Sequence, residues 1–104
     1  MSGETVESIE KELRRMLEDI RKSIEEKDPE DVFNDAVDFL VVHTPQHDTV
    51  GFDVLITQGG PVIRWTYIRG VCELVGAWGS VEARLPVSVE KCAEALMMLE
   101  DNAY

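Results

Sequence analysis

The sequence predicts an α+β fold, an antiparallel four- or five-stranded meander with N-terminal and C-terminal helices packed on one face. Three observations carry that expectation: apolar residues at three- and four-residue steps near both ends, short β-rich runs between them, and glycines that punctuate those runs. The chain has 104 residues, which suits one domain with one core. Its expected parts are a helical region over 1–36, a sheet over 37–86 and a C-terminal helix over 87–104.

Val6, Ile9, Leu13, Met16, Leu17, Ile20 and Ile24 mark one amphipathic helix from residue 4 to about 27. Opposite charges four apart, such as Glu7 with Lys11 and Glu10 with Arg14, line its outer faces. Asp28-Pro29-Glu30-Asp31 then announces a second helix, with aspartate at the N-cap, proline at the first helical position and acids in the first turn. Val32, Phe33, Ala36 and Val37 form its apolar stripe. Near Asp38 the pattern turns β-rich, and Phe39 to Thr44 reads as a first strand ended by Pro45.

Further strands are expected at Phe52 to Gln58, Val62 to Ile68, Val71 to Trp78 and Val81 to Leu85. Glycine turns at Gly59-Gly60-Pro61, Arg69-Gly70 and Gly79-Ser80 separate them. If each connection is a two-residue hairpin, Phe52 faces Tyr67, Val54 faces Trp65 and Ile56 faces Ile63. Trp65 then faces Leu74, Tyr67 faces Cys72 and Trp78 faces Val81. The glycines place the turns without regard to polarity, yet this register gathers the apolar residues on one face. The other face is mixed and carries Asp53, Leu55, Val62, Arg64, Ile68, Val71, Glu73, Val75, Glu82 and Arg84. Pro86 stops the last strand, and Ser88 is the N-cap of a helix with Val89, Cys92, Ala93, Leu96 and Leu99 toward the core.

Composition narrows function. Hydrophobic residues make up 44% and charged residues 30%, as in globular proteins. Twenty-one acids against ten bases give a net charge of −11, which repels nucleic acid and anionic membranes, so neither is an expected direct partner. Runs such as Phe39-Leu40-Val41-Val42 fall far short of the ~20 apolar residues of a membrane helix. The N-terminus has no basic-then-apolar signal segment, so a cytoplasmic location is expected.

No catalytic constellation stands out, and no cofactor is expected. His43 and His47 have the spacing of helical metal ligands, but Pro45 between them favours a polar turn, so neither is assigned to a metal site. Cys72 and Cys92 are too few for a disulfide scaffold and fall on apolar stripes, where they read as small buried hydrophobes without a redox role. Gly59-Gly60-Pro61 lacks the lysine and following helix of a phosphate loop.

The candidate site is an interaction face on the mixed side of the sheet: Arg64, Glu73, Val75, Glu82 and Arg84. In the expected register Arg64 and Arg84 flank Val75, and Glu73 is diagonal to both. The structural reading is a cross-strand ion network, and the functional one is a docking surface of interleaved cations and aliphatics.

Leu55-Ile56-Thr57-Gln58-Gly59-Gly60-Pro61, then Trp78-Gly79, then Leu85-Pro86, resemble a group of short uncharacterised proteins of bacterial and phage mobile elements. The similarity runs over about residues 38–100; Val62 stands where similar proteins often have Asn, and the long charged first helix is additional. The resemblance implies an accessory role, such as binding a host protein.

The expected function is therefore non-catalytic protein binding, with nucleic-acid mimicry against a basic host factor as one mechanism. The alternative is a homodimeric assembly protein, since the first helix's stripe looks surplus to what the sheet needs and the mixed face offers apolar area. A third reading places metal or ligand binding at His43 and His47.

Overall fold

The computed structural model describes residues 6–46 and 48–101. Three helices and five strands follow in the order α1 (Val6–Glu26), α2 (Pro29–Asp35), β1 (Asp38–His43), β2 (Thr49–Thr57), β3 (Val62–Ile68), β4 (Val71–Trp78), β5 (Val81–Pro86) and α3 (Val89–Asp101). The strands form one antiparallel sheet in sequence order, β1-β2-β3-β4-β5, as the glycine punctuation predicts. No helix among the described residues is long and apolar enough to cross a membrane.

Arg69-Gly70 and Gly79-Ser80 make the expected two-residue hairpins, closing Ile68 on Val71 and Trp78 on Val81. Arg69 and Gly70 both have positive φ, 54° and 79°, the signature of a tight primed turn. The pairs Phe52 with Tyr67, Val54 with Trp65, Trp65 with Leu74 and Tyr67 with Cys72 are all present. One pair is corrected: Ile63 faces Thr57, not Ile56. The connection through Gly59-Gly60-Pro61 is longer than two residues, the Thr57 hydroxyl donates to the Pro61 carbonyl at 2.7 Å, and a bulge after Leu55 absorbs the extra residue. A second bulge, between Val42 and His43, lets β2 begin at Thr49, earlier than expected.

All three helices lie on the apolar face. α1 covers β4 and β5, while α3 packs on β2 and against α2. Leu13, Leu17 and Ile24 of α1 are buried, so the first helix is not surplus: its stripe is a wall of the core. Gly76 makes that seat possible, since a Cβ there would stand 2.9 Å from Leu13 Cδ1 and 3.1 Å from Leu17 Cδ2. Cross-ties fix the helices. Arg21 Nη1 donates to the Pro86 carbonyl at 3.4 Å, and Lys91 Nζ to the Lys27 carbonyl at 2.9 Å.

Over the other half of the sheet, α2 delivers Phe33 into an aromatic cluster. Its ring meets Phe39, Phe52 and Trp65 edge-on at centroid distances of 5.1, 5.4 and 5.9 Å. Asp28 occupies the N-cap of α2 through its backbone carbonyl, which accepts from Asp31 and Val32 at 3.0 and 3.3 Å; its side chain makes no capping bond. Ser88 caps α3 as expected, its Oγ accepting from the Lys91 N–H at 3.4 Å.

The reading of Cys72 and Cys92 as separate inert thiols is corrected. The structure joins them in a disulfide between β4 and α3, with Cα atoms 6.3 Å apart. Each lies on an apolar stripe, as the sequence predicts, and α3 crosses β4 where the two stripes meet. Beside the bridge, the buried Trp65 Nε1 donates to Cys92 Sγ at 3.2 Å.

Candidate interaction face

With every helix on one side, the other side of the sheet is bare among the described residues. Alternation along the strands decides what it shows. One row crosses all five strands, Asp38, Leu55, Arg64, Val75 and Arg84; the next runs Leu40, Asp53, Thr66, Glu73 and Pro86. Val75 therefore sits between two guanidinium stems, as the sequence register predicts.

Ion pairs stitch the two rows diagonally. Arg84 Nη1 meets Glu73 Oε2 at 2.8 Å, and Arg84 Nε meets Glu82 Oε1 at 3.2 Å along β5. Arg64 Nη1 meets Asp53 Oδ1 at 3.1 Å. The expected single network of Arg64, Glu73 and Arg84 is thus two separate clusters, because Arg64 turns toward β2 and Arg84 toward its own hairpin. Asp53 is the partner that ion-pair reasoning missed, although the register places it one row from Arg64.

The Glu73 carboxylate, and then Glu82, hold the Arg84 guanidinium more firmly protonated than usual. The Arg84 side chain is 58% exposed and Glu73 18%, so the cluster is wet on the cationic side and screened by salt. Such exposed pairs add little to the stability of the fold. Their geometry matters more for what the face can recognise.

Around the charges the face is apolar. Leu40 is 65% exposed, Val71 53% and Ile68 41%, and Val42 is exposed beside them. A shallow depression of about 130 Å³ opens at one side, between Leu40, Leu55 and Arg64. Sequence reasoning left Leu40 and Val42 off this face because the partner of β1 was not assigned; the short Thr44-to-Asp48 connection is the signal that β1 and β2 form a hairpin.

The histidines do not join this surface. His43 ends β1 on the core side, its Nδ1 3.4 Å from Thr49 Oγ1. His47 lies outside the described residues. Among the described residues no group of three or more His, Cys, Asp or Glu is placed to hold a metal ion. The chain matches no family model, no curated protein and no solved structure.

Proposed function

We propose that this chain is a non-catalytic protein-binding module that engages another protein through the bare face of its sheet. The observation that carries the reading is the exposure of Leu40, Val42, Ile68 and Val71 around the charge clusters of Arg64 and Arg84. Isolated exposed aliphatics are ordinary, but a contiguous apolar field with charged side chains set into it is the composition of a docking surface. Two fixed guanidinium groups give orientation to a partner that brings carboxylates or main-chain carbonyls.

The Gly59-Gly60-Pro61, Trp78-Gly79 and Leu85-Pro86 elements support placing the module among accessory proteins of mobile elements, with a host protein as the partner. Cytoplasmic location belongs to the same proposal, and in that reducing compartment Cys72 and Cys92 would stand as thiols. Mimicry of nucleic acid draws on the net charge of −11. It requires the acids to be displayed toward a basic partner, and the helix surfaces opposite the bare face are where they concentrate.

A second reading, the homodimer, is favoured by the charge balance of the face. Arg64 and Arg84 stand near Asp53, Glu73 and Glu82, so a two-fold axis would set cations of one copy against anions of the other.

The test is affinity capture with the wild-type chain beside Val71→Glu and Val75→Lys, identified by mass spectrometry, with light scattering on each. A protein captured by the wild type and lost by both variants supports the first reading. A wild-type dimer that both variants dissolve supports the second. Capture that survives both substitutions removes the bare face from the account.

A further inference from the structure

We infer that a second, separate site lies at the opposite side of β1, where a groove between that strand and helices α2 and α3 takes an extended peptide of a partner protein as a sixth strand. The occupant has an apolar side chain that enters the groove and a lysine or arginine flanking it.

The backbone of β1 sets this up. The Val37 N–H donates to the Leu55 carbonyl at 2.9 Å, so Leu55 turns its carbonyl toward β1. In an antiparallel ladder alternate residues face the same neighbour, so Asp38, Leu40 and Val42 bond to β2 while Phe39 and Val41 turn their N–H and C=O groups out of the sheet. A second observation agrees. The Phe39 N–H is taken by its neighbour's side chain, Asp38 Oδ1, at 2.8 Å, instead of by β2.

Sheet edges are commonly blunted by charge, by proline or by a covering element. β5 has all three, with Glu82, Arg84, Pro86 and the packed helix α1. β1 reads Asp-Phe-Leu-Val-Val-His, with its only carboxylate at the first position, and nearly all of it is exposed. It is the unguarded edge.

The groove supplies specificity. It holds a cavity of about 360 Å³ with a floor of Phe33, Phe39, Val41 and Leu99 and polar groups from Glu30 and His43. That volume lies within the ~300 to 1,000 Å³ of ordinary ligand pockets and admits a leucine or phenylalanine side chain. A strand laid along β1 directs alternate side chains to the two sides of the sheet. One set enters the cavity beside Phe39 and Val41, and the other lies beside Leu40 and Val42 on the bare face.

Charge chooses between a foreign peptide and a second copy. The cavity's charged lining residue is Glu30, with no lysine or arginine among the described residues that line it, and the chain carries −11 overall. A basic peptide is drawn in. A second copy would bring its own Asp38 and the same acidic excess to the junction.

The experiment pans the full-length chain with a phage-displayed library of random nine-residue peptides, then synthesises the enriched sequences for titration calorimetry and amide NMR. The expected consensus is an apolar residue flanked by Lys or Arg, with shifts at Phe39, Val41 and Leu99. Val41→Pro should weaken binding more than tenfold, because it removes an outward N–H, and leave the ladder to β2 intact. Glu30→Lys should weaken it at least fivefold. Should Val41→Pro unfold the chain, peptides N-methylated one backbone position at a time read the same bonds, with alternate positions abolishing binding. Val71→Glu on the bare face should leave affinity unchanged, which separates this site from the proposed function. No enriched peptide, shifts confined to Ile68, Val71 and Val75, or self-association through β1 that excludes peptide would each overturn the inference.

Discussion

A Cβ at Gly51 would stand against the Tyr67 carbonyl, an atom held by the sheet, whereas at Gly76 it would meet the ends of Leu13 and Leu17. The same substitution therefore has different consequences. Gly76→Ala asks two flexible side chains to shift and should destabilise by about 1 to 3 kcal/mol, the usual range for overpacking. Gly51→Ala must separate β2 from β3 and should cost more, read as a larger drop in urea midpoint. Equal midpoints would show that the backbone yields as easily as leucine side chains do. Trp65 is fully buried under Phe33 and Phe52 and donates to Cys92, so Trp65→Ala should lose about 3 to 5 kcal/mol through both transfer and cavity. Unchanged stability would mean that the register is wrong.

Among the elements, the bridge between β4 and α3 gives the clearest expectation. It closes a loop with a sequence separation of 20, and chain entropy assigns such a loop about 3 kcal/mol. Oxidised protein should unfold at a correspondingly higher denaturant concentration than the same sample with dithiothreitol, while Cys72→Ala/Cys92→Ala should behave like the reduced form whatever the buffer. A difference that persists in the double variant would assign the effect to something other than the bridge. The helices and the hairpins at Arg69-Gly70 and Gly79-Ser80 were legible in the sequence because periodicity and a two-residue turn leave one solution. Ile56 packs against the core as expected, but it was paired wrongly with Ile63 because Gly59-Gly60-Pro61 announces a turn without fixing its length. The disulfide and the cavity beside β1 were not legible, since each depends on which elements cross in space; the Arg64 to Asp53 pair was within reach of the register, which sets the two one row apart. Arg64, Val75 and Arg84 were, because register alone aligns them.

At the scale of the whole molecule, the acidic excess works against compactness, and screening relieves it. Raising sodium chloride from ~10 mM to ~0.5 M shortens the range of that repulsion from ~30 Å to a few ångströms and should raise the melting temperature in scanning calorimetry by several degrees. A falling melting temperature would mean that the local pairs, such as Arg14 with Glu10 and Arg15 with Glu12, outweigh the net charge. The connectivity carries a further consequence for synthesis. Each strand pairs with the one before it, so every strand after the first leaves the ribosome with its partner already made. α1 is made before the strands, yet its seat is β4 and β5, the last of them to emerge. Until they do, Leu13 and Leu17 ride on the nascent chain as a greasy helix face without shelter, and that interval is when chaperones have most to hold and misassembly most to gain.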